Sequence, residues 1–475
     1  VVKRIKAKEA KKQATEGQSL SPSSSSGSAD YNQDEPSTTF PPVEVVGQDT
    51  SPLSVAFSLT QDLEDRAIGI FVYNYVYDPT GPSSGHLDQV TDLHRSLGLE
   101  DCLLTAMKAV GLASYAHKAC APSLLLNARY QYTKAIRLTN AALQSSDDVT
   151  KDSTLMAVQI LGVFEQVTGC GQKSIQNWIE HVLGASAVMK LRGKGQTETP
   201  AGRRMLVSVT SNLLIRCVYG KMRLPAHLRE YMDLARKHAS NMSTGLKVQG
   251  VMVLLADLRA DIEEGILKSQ VDIVLRAREL DNTLLQLAES APTDWAYDEI
   301  LTDADSDIIY NGKYHVYYNL WMGYMWNALR TQRILIHQII RDALSAGVTS
   351  FPPVFTNEYY ITQYNLVSKT LLSVQEDILS SVPQHIGVGE PPRSIANANE
   401  SYMVPISGGM FLMWPLWLAG IPDGTALPIR NFVARTLHSI GDNQGIQQAH
   451  VFAGIIERSG NIDVWERKTI NGVPK

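Results

Sequence analysis

Four cysteines are the first residues to test for chemistry: Cys102, Cys120, Cys170 and Cys217. A structural zinc site starts from closely spaced thiols or imidazoles, such as Cys-x-x-Cys or His-x-x-x-His. No such pair occurs here, so the spacing predicts no metal site and no cofactor in this chain. Cys120 and Cys217 fall within helical patterns and read as buried or neutral thiols. Asp303, Asp305 and Asp307 imitate the opening of a calcium-binding EF-hand loop. That loop needs Gly at its sixth position and Glu at its twelfth. Ile308 and Tyr314 stand there instead, so the cluster reads as a solvated turn before a long helix.

Catalytic motifs are missing too. There is no Gly-x-Ser-x-Gly elbow, no phosphate-binding Gly-x-x-x-x-Gly-Lys and no Gly-x-Gly-x-x-Gly. Histidines such as His86, His94 and His117 are scattered. His181 sits one turn past Trp178, where a satisfied core or boundary imidazole is expected and not a general base. Glu263 and Glu264 belong to an exposed helix face. Nothing in the sequence argues for an enzyme.

The chain has 475 residues, 44% hydrophobic and 19% charged, enough apolar material for a large core. Its net charge of −5 excludes a basic nucleic-acid coat. Four cysteines exclude a disulfide scaffold and point to a reducing compartment. No apolar run is long enough to span a bilayer, so no membrane partner is expected. The N-terminus has no apolar stretch of the kind a secretory signal carries.

Residues 1–52 differ from the rest. Lys3, Arg4, Lys6, Lys8, Lys11 and Lys12 place six cations in twelve residues, and Ser19–Ser28 holds seven serines. Such a segment has too little apolar surface to offset the entropy of ordering it, so a disordered linker is expected. The basic run could contact nucleic-acid phosphates without reading sequence. Residues 461–475 read as a C-terminal tail.

From residue 55 to 460 the period is helical. Leu103, Ala106, Met107, Val110 and Ala113 recur at three- and four-residue steps, as one buried face requires. Leu125, Ala128, Tyr132, Ala135, Ile136 and Thr139 do the same. Ser58–Gln61 has capping-box spacing. Asp152 reads as the cap of a helix through Leu155, Val158 and Leu161. Ile175, Trp178, Val182, Ala185 and Met189 form another face, with Gly193 as its C-cap. Tyr310–Leu344 reads as one long aromatic helix. The fold class is therefore all-α, one large bundle of about twelve helices without a regular repeat.

Several stretches, in order, resemble the regulatory region of fungal transcription factors of the binuclear zinc cluster, six-cysteine class. Leu104–Ala116 and Tyr130–Leu143 resemble its start, and Asp152–Glu165 its next helix. The family pattern of Trp, His, Gly-Ala and Leu-Arg-Gly is met by Trp178, His181, Gly184, Ala185, Leu191, Arg192 and Gly193. Tyr318–Leu335 is similar to the helix holding Trp-Asn then Arg. Asp377–Gly387 is similar to a Ser-Val-Pro element, and Gly408–Gly420 to a Gly-Gly, Trp-Pro-Leu, Ala-Gly element containing Trp414 and Pro415. These residues read as determinants of the fold: Trp178 and Trp414 for burial, Gly184 for close approach, Arg192 toward its helix's last carbonyls, and Pro415 to bend or start a helix.

The resemblance implies the regulatory and effector region of a nuclear, sequence-specific regulator of RNA polymerase II transcription. It implies DNA contact through a zinc cluster, partners in the transcription machinery, a homodimer and a small-molecule inducer. The six cysteines of that cluster are not in this sequence. The first residue is Val1 and not Met, so the expectation is a fragment whose upstream part carries the cluster and its zinc. The alternative is a helical scaffold or ligand-sensing regulator that does not itself bind DNA.

Overall fold

The computed structural model describes residues 63–77, 86–91, 93, 100–238, 243–303, 306–394, 402–421 and 423–458. The linker 1–52, the capping box at Ser58–Gln61, Asp305 and the tail 461–475 lie outside them. The described chain is all-α, with fifteen α-helices and one two-stranded hairpin.

The helices in chain order are α1 (Leu63–Tyr75), α2 (Asp101–Lys118), α3 (Pro122–Ala142), α4 (Asp152–Thr168), α5 (Gln172–Arg192), α6 (Pro200–Tyr219), α7 (Ala226–Lys237), α8 (Thr244–Glu263) and α9 (Gln270–Glu289). The strands β1 (Asp298–Leu301) and β2 (Lys313–Val316) follow. After them come α10 (Leu320–Thr349), α11 (Glu358–Ser380), α12 (Val382–Ile386), α13 (Ser407–Gly420), α14 (Leu427–Gln444) and α15 (Gln447–Glu457).

Local chemistry starts and stops these elements. Thr199, Ser243, Ser269, Asn319 and Asn357 each accept a backbone N–H from the first turn of α6, α8, α9, α10 and α11. Gly445 ends α14 at φ +73°, a left-handed cap that costs a residue without Cβ nothing. It also leaves room for the His117 ring, since a Cβ there would lie 2.5 Å from His117 Cβ.

Helices pack mainly on their sequence neighbours: α1 on α2, α2 on α3, α4 on α5, α10 on both α9 and α11, and α14 on α15. The long-range joins are α2 with α4, α10 with α13, and α15 with α4, α5 and α13. They let one hydrophobic cluster run from Ala67 to Ile456. At the α1–α2 crossing the backbones touch: a Cβ on Gly111 would lie 1.9 Å from the Ala67 carbonyl oxygen.

Four sequence readings change. The helices number fifteen among the described residues, not about twelve. Two of them, Ala226–Lys237 after Pro225 and Val382–Ile386 around Pro383, begin beside a proline, which suits the first turn of a helix as well as a break. Tyr310–Leu344 is not one helix: Lys313–Val316 is a strand, with Glu299 opposite His315. Lys151, not Asp152, holds the N-cap position of α4. Cys120 lies beyond α2 at φ +47° and is exposed.

Candidate functional site

The signature residues of α5 and α13 converge. Trp178 is 4% exposed, and its ring lies 5.6 Å from that of Trp414. Trp414 is half-buried and also meets Tyr219 of α6 (5.8 Å), Trp417 (5.6 Å) and Phe452 of α15 (5.0 Å). Pro415 does not start α13 but sits buried inside it. Four helices are thus joined by offset and edge-to-face ring contacts, each worth roughly 0.5–1.5 kcal/mol beyond the area buried.

His181 lies one turn along α5 and is also buried. Its Nε2 is 3.3 Å from the Tyr132 hydroxyl, which donates to Glu165. The hydroxyl's proton is therefore engaged, and Nε2–H is the donor to it. Burial brings His181 down to about 4, so the ring is neutral. Its Nδ1 has no protein partner, and the residue lines a cavity of about 20 Å³ together with Gln159, Trp178 and Asn212. That volume holds one water and no larger ligand. Gly184 is buried in α5. Arg192 reaches Asp152 of α4 instead of its helix's last carbonyls, and Gly193 caps α5 at φ +73°. The expected carbonyl contact gives way because a carboxylate is the stronger partner for a guanidinium.

A second centre is richer in polar chemistry. Arg330 of α10 is 3% exposed, yet its hydrogen bonds go to neutral groups: Nη1 to the Tyr317 hydroxyl (2.6 Å) and Asn327 Oδ1 (3.1 Å), Nη2 to His315 Nδ1 (3.3 Å). The guanidinium lies over the rings of Tyr297 (5.2 Å), Tyr317 (5.8 Å) and Trp326 (5.8 Å). Such cation–π contact replaces part of the lost hydration. The Tyr317 hydroxyl is 3.0 Å from His315 Nδ1, and His315 Nε2 is 3.6 Å from Glu299 Oε2 across the hairpin. Burial first, then Arg330 and Lys313, lowers His315 to about 2, so the imidazole is neutral. The partly buried Trp326 donates Nε1–H to the Trp295 carbonyl (2.7 Å).

This centre joins two motifs that the sequence shows separately. Asn327 Nδ2 donates to Ser381 Oγ (2.8 Å), and Gln384 Oε1 accepts the Tyr317 N–H (3.0 Å). The Trp-Asn-x-x-Arg stretch and the Ser-Val-Pro stretch thus meet at β2. Sequence reasoning carried Arg330 only as part of a motif and missed Tyr297, His315 and Tyr317. The run of aromatic and β-branched residues from Tyr314 to Tyr318 was the signal for a strand there.

The third feature is an open groove of about 780 Å³ between α7 and α8, within the size range of small-molecule sites. Its charges hold one another. Arg229 is bidentate to Asp257 (2.7 and 3.0 Å), Arg223 meets Asp261 (2.6 Å) and Glu264 (3.0 Å), and Lys194 meets Glu230 (2.6 Å). A ligand would have to displace these pairs. The arrangement suits structural cross-linking of α7 to α8 better than ligand capture.

No group of three or more His, Cys, Asp or Glu side chains that could hold a metal ion occurs among the described residues. Among the same residues no helix is long and apolar enough to cross a membrane. Asp307 of the acidic cluster is paired with Arg435 (2.8 Å). Lys3, Arg4, Lys6, Lys8, Lys11 and Lys12 lie outside the described residues.

Neither a curated protein nor a solved structure matches the chain. Residues 82–221 match the model of the fungal specific transcription factor domain. That segment includes α2 to α6, and with them Trp178, His181, Arg192 and Gly193.

Proposed function

We propose that this chain is the regulatory and effector region of a fungal, nuclear, sequence-specific regulator of RNA polymerase II transcription. The match of residues 82–221 to the fungal transcription factor domain carries this reading. On it the protein works by binding, not by catalysis, and the chain itself holds no cofactor. DNA is reached through a zinc cluster encoded with, but outside, this sequence, so zinc belongs to that module. The partners are the transcription machinery, a second copy of the chain and a small-molecule inducer. The helical body of residues 55–460 is the effector unit, and Trp178, His181, Gly184, Arg192, Gly193, Trp414 and Pro415 build it.

A tethering assay tests this. Residues 55–460 are fused to an unrelated DNA-binding module and expressed in a fungal host with a reporter carrying that module's sites. The expected result is a change in reporter output, up or down, relative to the module alone. No change, with the fusion folded and nuclear, would remove the effector reading. Sequencing the 5′ end of the transcript separates DNA-binding regulator from helical scaffold. A Cys-x-x-Cys-rich segment upstream supports the regulator, and its absence favours the scaffold.

A further inference from the structure

The first half of α11 is a helix without a covered face. Of residues 358–366 none is buried, and Tyr359, Ile361, Tyr364 and Leu366 are exposed. These turns are also poor helix formers on their own, because Tyr359, Tyr360, Ile361, Thr362 and Asn365 are aromatic, β-branched or prone to turns. A helix in water owes its stability mainly to a packed apolar face. Within this chain α11 gains one only further along, where Val367, Leu371 and Val374 are buried.

The turn before α11 extends the open face. The Val354 N–H donates to the Gly347 carbonyl (2.8 Å), and Phe355 stacks on Tyr360 with centroids 4.2 Å apart. Phe355 also fills the space over Gly347, where a Cβ would lie 2.2 Å from its ring. This anchored turn holds Phe351 fully exposed and Val354 half exposed. At about 150–250 Å² for an aromatic side chain and somewhat less for an aliphatic one, Phe351, Val354, Tyr359, Ile361, Tyr364 and Leu366 leave on the order of 600–700 Å² in water. The largest apolar patch of a typical monomer is about 300–600 Å². A stable protein pair buries about 800 Å² on each partner, a little over half of it apolar. The face is therefore large enough to carry a dimer by itself.

Charge identifies what covers it. Between Asp342 and Glu376 the only charged residues are Glu358 and Lys369. Both are exposed, and their eleven-residue separation is three helical turns, so they stand on one side of α11. Opposite charges at the two ends of an apolar stretch complement themselves when a second copy lies antiparallel. About a two-fold axis near Gln363, Glu358 faces the partner's Lys369, Lys369 faces the partner's Glu358, and Tyr359 lies beside the partner's Leu366. Gln363 accepts a hydrogen bond from Arg278 of α9, which borders the face on that side. We propose that this chain forms a two-fold dimer through the first half of α11 and the Phe351 turn, with the two α11 helices antiparallel. Such a contact uses the same patch on both copies, as closed two-fold symmetry requires. It gives the second copy in the proposed function its surface. The effector role is read by the tethering assay and the dimer by mass, so either can fail alone.

Sedimentation of the full chain from nanomolar to tens of micromolar tests this. The wild type should pass from monomer to dimer within that range. Leu366→Lys should weaken association at least about tenfold, because it buries a charge at two places in one interface. Its circular dichroism and melting temperature should stay unchanged, since Leu366 is exposed in the monomer. Glu358→Lys and Lys369→Glu each set two like-charged pairs across the axis and should weaken the dimer roughly threefold to thirtyfold. The double reversal should restore it. A wild type that stays monomeric would overturn the proposal and leave the face to a different protein or to another segment of the chain. A dimer that Leu366→Lys leaves intact, or a double reversal no tighter than the single ones, would overturn it as well.

Discussion

Trp178 in the matched domain and Trp414 near the C-terminus lie with ring centroids 5.6 Å apart at an interplanar angle of 40°. The contact ties the segment that matches the family model to helices outside it. Trp178→Ala should therefore cost about 3–5 kcal/mol, from lost transfer energy plus a residual cavity. Trp414→Ala should cost less, because that ring is half-buried. Urea denaturation measures both, and a Trp178→Ala loss below about 1 kcal/mol would mean that the site collapses to fill itself.

Asp281 of α9 accepts hydrogen bonds from Arg333 Nε (2.7 Å) and His337 Nε2 (3.1 Å) of α10. Burial opposes its ionisation, but those bonds prevail and bring it down to about 2. A carboxyl lowered on folding stabilises the native state above its unfolded value near 3.9, and that stability is lost as pH falls through the folded value. Asp281→Asn should remove about 2 kcal/mol at neutral pH and flatten the stability profile between about pH 4 and pH 2. Acid titration of both proteins checks this; parallel profiles would assign the acid loss elsewhere.

Arg330 and Tyr317 act as a unit, since the guanidinium is the Tyr317 hydroxyl's buried donor. Arg330→Met removes a buried charge together with its bonds, whereas Tyr317→Phe leaves the charge behind with one partner fewer. Each single change should cost about 1–3 kcal/mol, and the double variant should cost less than their sum by at least about 0.5 kcal/mol. Strict additivity in a double-mutant cycle would deny the coupling.

Thiol titration should divide the cysteines into two pairs. Burial raises Cys102 to about 11 and Cys217 to about 12, whereas Cys120 and Cys170 are exposed. Ellman's reagent should label two thiols quickly in the native chain and the remaining two only on unfolding. Elemental analysis of the same tag-free sample should find no stoichiometric zinc, as the spacing of the four thiols requires. Fast labelling of all four, or one zinc per chain, would contradict these expectations.

The basic run Lys3–Lys12 should bind duplex DNA weakly and without sequence preference. At most about six phosphates are neutralised, so log K should fall against log salt with a slope no steeper than about −5. Salt titrations on two unrelated duplexes, with and without residues 1–12, decide this. A clear preference, or affinity surviving the deletion, would place base-reading residues in the helical body.

The sequence by itself determined the fold class, the helix faces and the family resemblance. Each rests on short-range order: apolar residues at three- and four-residue steps, and motif residues within a turn or two, as from Trp178 to Gly193. Gly193 was legible as a C-cap for the same reason. Only the tertiary structure decided who meets whom. It brought Trp414 to Trp178, turned Arg192 to Asp152, and gathered Asn327, Arg330, Ser381 and Gln384 around a strand that helical periodicity had hidden. It also set His438 against His450, on different helices and with no ligand-like spacing. A helix face specifies that a residue is buried, but its partner depends on how long helices cross. That crossing follows from the packing of the whole core, which no local stretch of the chain encodes.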